Sequence, residues 1–543
     1  MTGPFTLAQV DESVTRSHSD GVTDLAAAAL IEHDAKFLLV RTATRDLDTP
    51  PAWDLPAGPV LPGETVVDGL HRILAQALGY SNTKITAFFG IVDADNGTRT
   101  FVFSTTVDQP DSVCWASDIP HRWIDTITIS DLVPEINHVL RAYRGWMRVY
   151  AHMPDHGAHT RQATCLIGGT DSTSPYRVHP QRVLENKWVD LGVFNFTGPP
   201  TVSLDSDTQD GTGDEDIAWD SVAFQPLSAK PKNFVVAMGD SYSSGEGATE
   251  PGGKDYYAES DYYDKAEPKS KNSCHRSKIA WSRQATLPGS SKSIGALADS
   301  RDANMDYHFI ACSGARTFNI LNTGRSGELA QLKQGYLDQN TSLVTLSVGG
   351  NDARFTDIVK KCVLPTIWNC QAESLDNIDP DNGEKTGGDT GGLDEWAPKW
   401  LHEQIRPRIT ATLKTIHDKA PNAEIVLMGY PRLLEDNGSC VLGMEDVEGK
   451  WVNSVADILA DEMKGAVDDA NSQYKAKAVL SDPRGVFTGK AVCGDPESVH
   501  GIVISGQAQA DNDLPKPSMQ SFHPKPAGAR LYADSLEKTL KCE

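Results

Sequence analysis

The stretch "VVAMGDSYSSGEGA", residues 235–248, decides how the C-terminal half of the chain folds. A short apolar run reads as a strand buried on both faces. Gly239 and the following Gly/Ser run end it. In open α/β sheets, ligands bind outside the carboxyl ends of the strands. Ser241 stands at such an end, where a nucleophile is useful. A lone Gly-Asp-Ser is also an ordinary strand-to-loop turn. No Gly-x-Ser-x-Gly occurs in the chain, which excludes the usual nucleophile elbow.

The same pattern continues outward from this stretch. "YHFIACSG", "LVTLSVGGND", "EIVLMGYP" and "AVLSDP" are further candidate strands. "WLHEQIRPRITATLKTIHDKAP" and "VNSVADILADEMKGAVDDANSQY" carry helical periodicity between them. Strands alternating with helices predict a parallel sheet covered on both faces, over residues 232–543.

Three of these stretches hold polar groups suited to acyl chemistry. "IACSGA" puts Gly314 after a strand end, "LSVGGND" does the same for Asn351, and "SFHP" puts His523 before a terminal helix. Ser, Gly, Asn and His in this order, each in its own block, resemble the SGNH (GDSL) hydrolases over essentially all of 232–543. The resemblance implies a flavodoxin-like three-layer α/β fold and carboxylic ester hydrolysis without a cofactor or metal. It implies Ser241 as nucleophile and His523 as base. It also implies an oxyanion hole of the Ser241 and Gly314 N–H groups and the Asn351 amide. Glycine at 314 lets the backbone approach closely, and Asn351 can donate without adding charge.

Many members of that family have Asp three residues before the histidine; here it is Gln520. A main-chain carbonyl can accept Nδ1–H and set the tautomer. Family members without that Asp use the main-chain carbonyl at the same place, so the resemblance implies a Ser241–His523 dyad with the Gln520 carbonyl orienting the imidazole. Asp511 or Asp513 folding in is the rival. The family resemblance also implies three disulfides, Cys274–Cys312, Cys362–Cys370 and Cys440–Cys493. Cys114, Cys165 and Cys542 are left over.

At 543 residues the chain is too long for one core. Net charge is −24, which disfavours nucleic acid and anionic membrane surfaces as partners. There is no run of 18 apolar residues, hence no transmembrane segment. The opening "MTGPFTLAQVDESV" shows no signal-peptide pattern. Seven of nine cysteines fall after residue 270, which instead favours an oxidising, extracellular setting.

Ahead of the α/β region, residues 1–21 read as a tail and 22–143 as a first domain. "AAAALIEH" and "KFLLVRT" read as two strands joined by a turn. "GPVLPGETVVDGLHRILAQALGY" resembles the Nudix box, with Gly58, Glu64, Arg72, Leu74 and Gly79 in register. The other three Glu positions hold Ile73, Gln76 and Ala77, which offer no carboxylate for a hard cation. That implies a Nudix-like fold without Nudix catalysis, although nucleotide binding stays open.

Residues 145–226 alternate in short strands and predict an all-β sandwich. "NKWVDLGVFNF" and "DEDIAWDSVAFQPL" resemble golvesin-type, carbohydrate-binding-like domains of secreted bacterial enzymes. Aromatics such as Trp146 or Trp219 either stack on a glycan, if exposed, or belong to the core, the commoner use of such residues. Residues 227–231 read as a linker. Residues 374–396 read as an Asp/Gly-rich surface insertion. The tyrosine-rich "KDYYAESDYYDKAEP" after the nucleophile either lines the substrate site or is a surface loop.

The leading expectation is a serine ester hydrolase acting on lipid acyl esters or acylated glycans. The other class is a glycan- or nucleotide-binding protein with vestigial catalysis.

Overall fold

The computed structural model describes residues 7–33, 36–41, 53–79, 83–93, 97–107, 121–124, 145–208, 216–250, 253–263, 271–363, 369–375, 378, 391–435, 440–441, 443–504 and 517–541. Cys114, Cys542, Asp511, Asp513 and most of the 374–396 insertion lie outside these residues.

The C-terminal region is built on five parallel strands: β1 (Asn233–Gly239), β2 (Met305–Phe309), β3 (Leu343–Ser347), β4 (Glu424–Met428) and β5 (Ala478–Ser481). Their order is β2-β1-β3-β4-β5. Alternate residues along each strand face opposite sides. Val236, Met238, Val344, Leu346, Ile425 and Leu427 pack on one side against Ile409, Leu413, Leu459 and Met463. Val235, Leu343, Val426 and Met428 pack on the other against Trp281, Ile294, Tyr532 and Leu536. These strands are buried on both faces, which explains why they read as continuous apolar runs. The long helices Arg406–Lys419 and Asp446–Tyr474 cover the first side, and Pro526–Lys541 the second. β1 neighbours both β2 and β3, so chain order reverses there. Ligands of doubly wound sheets bind at that switch point.

The middle region is an antiparallel sheet of five strands. Two facing sheets were expected from the sequence. Instead one 18-residue strand, Lys187–Leu204, runs through the whole arrangement. Its first half pairs with Gly145–Met153 and its second with Ala163–Thr170, with a register break between Phe196 and Thr201. Gly198, Pro199 and Pro200 fall in that break. Proline cannot donate to a ladder, so the strand bulges rather than ends. The short strand Tyr176–His179 completes the sheet at one edge.

This sheet is fastened to the α/β region by polar contacts. The buried Arg148 guanidinium donates to the carbonyls of Met305 and Asp302 and lies 3.6 Å from Asp306. Arg177 Nη1 donates to the Gly335 carbonyl, and Val178 N–H donates to the Gln334 carbonyl at 2.9 Å. Ser172 Oγ donates to Asp338 at 2.6 Å. The linker is anchored too: Leu227 N–H donates to the Trp146 carbonyl at 2.8 Å.

Among the described residues the N-terminal region forms a seven-stranded sheet, in which Leu25–His33 pairs parallel with Arg99–Val107 and antiparallel with its other neighbours. The Val66–Leu78 helix covers it, capped by the Thr65 side chain and ended by left-handed Gly79. The segment before residue 22 is more than a tail. Leu7–Ser19 is a helix whose Val10 enters the core, and Arg99 donates to Ser17 and Asp20.

Candidate active site

The Ser241 loop is held from below. Asp240 caps the short helix Ser241–Ser244, its Oδ1 accepting from Tyr242 N–H at 3.0 Å and Ser347 Oγ at 2.5 Å. Its Oδ2 accepts from Tyr430 Oη at 2.5 Å. Tyr430 Oη in turn accepts from Gly350 N–H at 3.1 Å. One buried carboxylate thus ties the Ser241 loop to the loop carrying Asn351. Burial pushes the Asp240 carboxyl up to about 6, against the hydrogen bonds from Ser347 and Tyr430.

His523 Nε2 lies 2.7 Å from Ser241 Oγ. The imidazole is reached from the residue before it. Phe522 sits at φ 61°, in the left-handed region, at a cost of about 1 kcal/mol for a residue with a Cβ. That turn is locked by Phe522 N–H donating to His500 O at 3.0 Å and by Tyr242 Oη donating to Phe522 O at 2.8 Å. Tyr242 also packs against the imidazole, with ring centroids 5.0 Å apart.

The orienting carbonyl differs from the expectation. Nδ1 of His523 lies 3.0 Å from the Ser521 carbonyl. The Gln520 carbonyl accepts from the His523 backbone N–H at 3.1 Å instead. A tight turn uses the carbonyl three residues back for the chain itself, which leaves the one two residues back for the ring. Burial holds the His523 pKa below the ordinary histidine value; the charge of Glu246 and the Ser521 carbonyl work in the other direction. The imidazole is therefore neutral, and able to accept a proton, at neutral pH.

Gly314 and Asn351 flank the serine in the same cleft. Gly314 has φ +74°, and the space a Cβ would fill holds the Arg325 guanidinium. Among the described residues no protein acceptor takes the N–H of Ser241 or Gly314. Asn351 Nδ2 donates to the Ala315 carbonyl at 3.0 Å, which fixes the amide and leaves its second N–H for the cleft.

Sequence reading missed a buried carboxylate inside the opening stretch. Glu246 is 1% exposed. It accepts from Ser313 Oγ at 2.8 Å, beside Gly314, and lies 2.5 Å from His275 Nδ1 and 3.2 Å from Tyr256 Oη. His275 also meets Asp261 at 3.5 Å and stacks on Tyr256. Burial opposes a charge on His275, but its two carboxylates hold its pKa up, at about 10. Burial pushes the Glu246 carboxyl up, yet His275 keeps it below the usual range, so it stays ionised. The tyrosine-rich loop thus contributes through Tyr256 from behind the site, and its residues 254–263 are not among those lining the cleft.

All three expected disulfides are present. Cys274–Cys312 joins the His275 loop to the Gly314 loop, where Ser313 N–H donates to the Cys274 carbonyl at 3.0 Å. Cys165 is a buried free thiol.

The cleft has a volume of about 820 Å³. Its lining includes the apolar side chains Phe355, Val359, Leu433, Leu459, Ile502 and Met519.

The Nudix-box residues do not fit a divalent metal. Glu64 is the one carboxylate at the four ligand positions, and Arg72 holds it at 2.7 and 3.0 Å. Ile73 at another of them is buried in the core. Nor do the two tryptophans singled out in the middle region present free faces. Trp146 packs against Phe234 with Lys230 over its ring. Trp219 packs against the sheet core. The exposed tryptophan is Trp188.

Comparison with known proteins agrees with two parts of this picture. Residues 22–152 match the NUDIX domain model. The chain is 29% identical over 237 residues to Lipase 1 of Streptomyces coelicolor, covering 44% of this chain and 65% of the relative. It is 28% identical over 253 residues to a lipase of Streptomyces rimosus, covering 45% and 73%. A crystal structure of phospholipase A1 from Streptomyces albidoflavus NA297 is 27% identical, with a TM-score of 0.39, covering 56% of this chain and 98% of that one. The chain thus has lipase relatives and carries a Nudix-like segment. It spans just under two thirds of the S. coelicolor lipase. Among the described residues no helix is long and apolar enough to cross a membrane.

Proposed function

We propose that the protein is a carboxylic ester hydrolase of SGNH type, with residues 232–543 as its three-layer catalytic domain. The observation that carries this is the 2.7 Å approach of His523 Nε2 to Ser241 Oγ in the lining of a cleft that also carries apolar side chains. The likeness to Streptomyces lipases supports it.

In this reading His523 takes the Ser241 proton as Oγ attacks the acyl carbon. Charge builds on the carbonyl oxygen, and the N–H groups of Ser241 and Gly314 and the Asn351 amide receive it. His523 then protonates the leaving alcohol, and water releases the acyl group by the same steps in reverse. The Ser521 carbonyl fixes the tautomer. Glu246 holds the Ser313–Gly314 loop in place and supplies negative charge near His523. Residues 145–226 serve as an accessory β domain and 22–143 as a degenerate Nudix-like domain. Three disulfides favour an oxidising, extracellular setting. Lipid acyl esters and acylated glycans are the candidate substrates.

A fluorophosphonate probe tests the reading, since it traps an activated serine by losing fluoride. Intact mass should show one adduct on the wild type and none on Ser241→Ala. Absence of both adduct and ester turnover would leave the chain a binding protein.

Glu246→Gln probes the buried carboxylate. Losing its negative charge makes the His523 imidazolium less favourable and lowers that pKa further. The acid limb of kcat/KM should therefore move to lower pH. The plateau should fall roughly tenfold, because a neutral amide holds Ser313 less firmly than a carboxylate does. An unmoved acid limb would remove Glu246 from the electrostatics of the base.

A further inference from the structure

The cleft lining carries cations as well as apolar side chains. Arg316, Arg325, Arg354 and Lys360 all line it. Arg354 and Lys360 share Asp357, at 3.1 and 3.7 Å. Arg325 has no carboxylate partner among the described residues. Its Nε donates to the Ser313 carbonyl at 2.8 Å, and its Nη2 lies 2.5 Å from where a Cβ on Gly314 would sit. The forked end of the guanidinium therefore lies against the residue whose N–H faces the developing oxyanion. Burial and the like charge of Arg316 both work against the charge on Arg325, a cost that an anion beside Arg325 would offset.

This cation is positioned by more than its own loop. Gln162 Nε2 of the middle sheet donates to the Gly327 carbonyl at 2.9 Å. Arg161 fills the space beside Gly327, and Arg177 anchors Gly335. The segment bearing Arg325 is thus clamped by the accessory domain, which gives that domain a task in the site other than glycan capture.

We infer that the cleft takes esters that also carry an oxyacid anion, a phosphate or a carboxylate, a few bonds from the scissile carbonyl, with Arg325 binding that anion. The inference rests on ester hydrolysis at Ser241. The acyl chain lies along Phe355, Val359 and Leu459, and the anion lies on the alcohol side near Gly314. A planar guanidinium fork matches both oxyacids bidentately. The net charge of −24 repels a charged bilayer, but beyond about 8 Å such repulsion is screened. Inside the cleft the nearby arginines dominate. A single anionic ester molecule therefore suits the site better than a charged membrane surface does.

Matched substrates below their aggregation limits test this on the full chain. One pair is dihexanoyl phosphatidic acid and dihexanoylglycerol; the other is acetyl glycerol phosphate and monoacetylglycerol. The wild type should favour the phosphate-bearing member by about tenfold or more in kcat/KM. Preference in both pairs points to the anion alone, and preference in the lipid pair only points to a headgroup source. The ratio should fall toward one in Arg325→Gln, persist in part in Arg325→Lys, and shrink as salt is raised. Because the ratio is taken within each variant, a smaller folded fraction cancels. A wild-type ratio of one or less, with neutral esters hydrolysed, overturns the inference. So does a ratio unchanged in Arg325→Gln. Failure of the wild type to cleave any ester or to take the serine probe overturns the hydrolase reading, and this inference with it.

Discussion

Replacing Ser241 or His523 with alanine is expected to lower kcat for a nitrophenyl ester by roughly 10⁴- to 10⁶-fold, with the double variant no worse than either single one. The two groups act as a unit, because Ser241 Oγ has no other hydrogen-bond partner than His523 Nε2 among the described residues. A hydroxyl whose proton has nowhere to go is a poor nucleophile, and an imidazole without the hydroxyl has nothing to activate. Neither change should unfold the chain. Ser241 is a small side chain at a loop, and the Asp240 cap below it remains. The rate and the thermal midpoint should therefore separate. Gln520→Ala is the control. Its carbonyl serves a main-chain turn and the ring partner is the Ser521 carbonyl, so both survive the substitution and most activity should remain. A Gln520→Ala collapse to the Ser241→Ala level would mean that the imidazole is held by something other than the backbone. Activity should also hold above the His523 pKa and fall as pH drops through it. Since burial depresses that pKa, the acid limb belongs below the range of a free histidine.

The parallel sheet was legible because its strands are buried on both faces, and such strands cannot hide their apolar runs. Strand ends were legible for the same reason, and the proposed nucleophile, glycine, asparagine and histidine all sit just past one or before a helix. Side-chain partnerships across the site were harder to read. Glu246 stands in plain view between Gly245 and Gly247, but a charge in a Gly/Ser loop normally points to solvent. Only the fold brings His275, 29 residues later, against it. The same holds for Arg325, whose meaning depends on a contact with Ser313, twelve residues earlier in sequence. The Gln520 carbonyl was expected from the family resemblance, which fixes only a spacing from the histidine. Spacing cannot say which of two neighbouring carbonyls a turn has already engaged. The middle sheet was read as a domain of its own, joined by a linker, for a similar reason. Its buried arginines, Arg148 and Arg177, look like surface charges until the carbonyls of another region are placed beneath them.

Asn351→Ala should cost about 10²- to 10³-fold in kcat with little change in KM. The reasoning starts from how the amide is held. One N–H of Asn351 is spent on the Ala315 carbonyl, so the side chain cannot rotate freely and its second N–H stays aimed into the cleft. A donor fixed in advance is worth most where charge develops late, and the ground-state carbonyl gains little from it. The loss should thus fall on kcat. Alanine also frees the Ala315 carbonyl, which is one residue from Gly314, so a small part of the loss reflects loosening of that loop. Asn351→Asp separates the two effects. It keeps the shape but removes both donors and sets a negative charge near the developing oxyanion, so it should be at least as damaging as alanine. Presteady-state acylation with a nitrophenyl ester reads the step directly. If Asn351→Asp acylates Ser241 faster than Asn351→Ala, the amide is not an oxyanion donor and its role is confined to holding the Ala315 carbonyl.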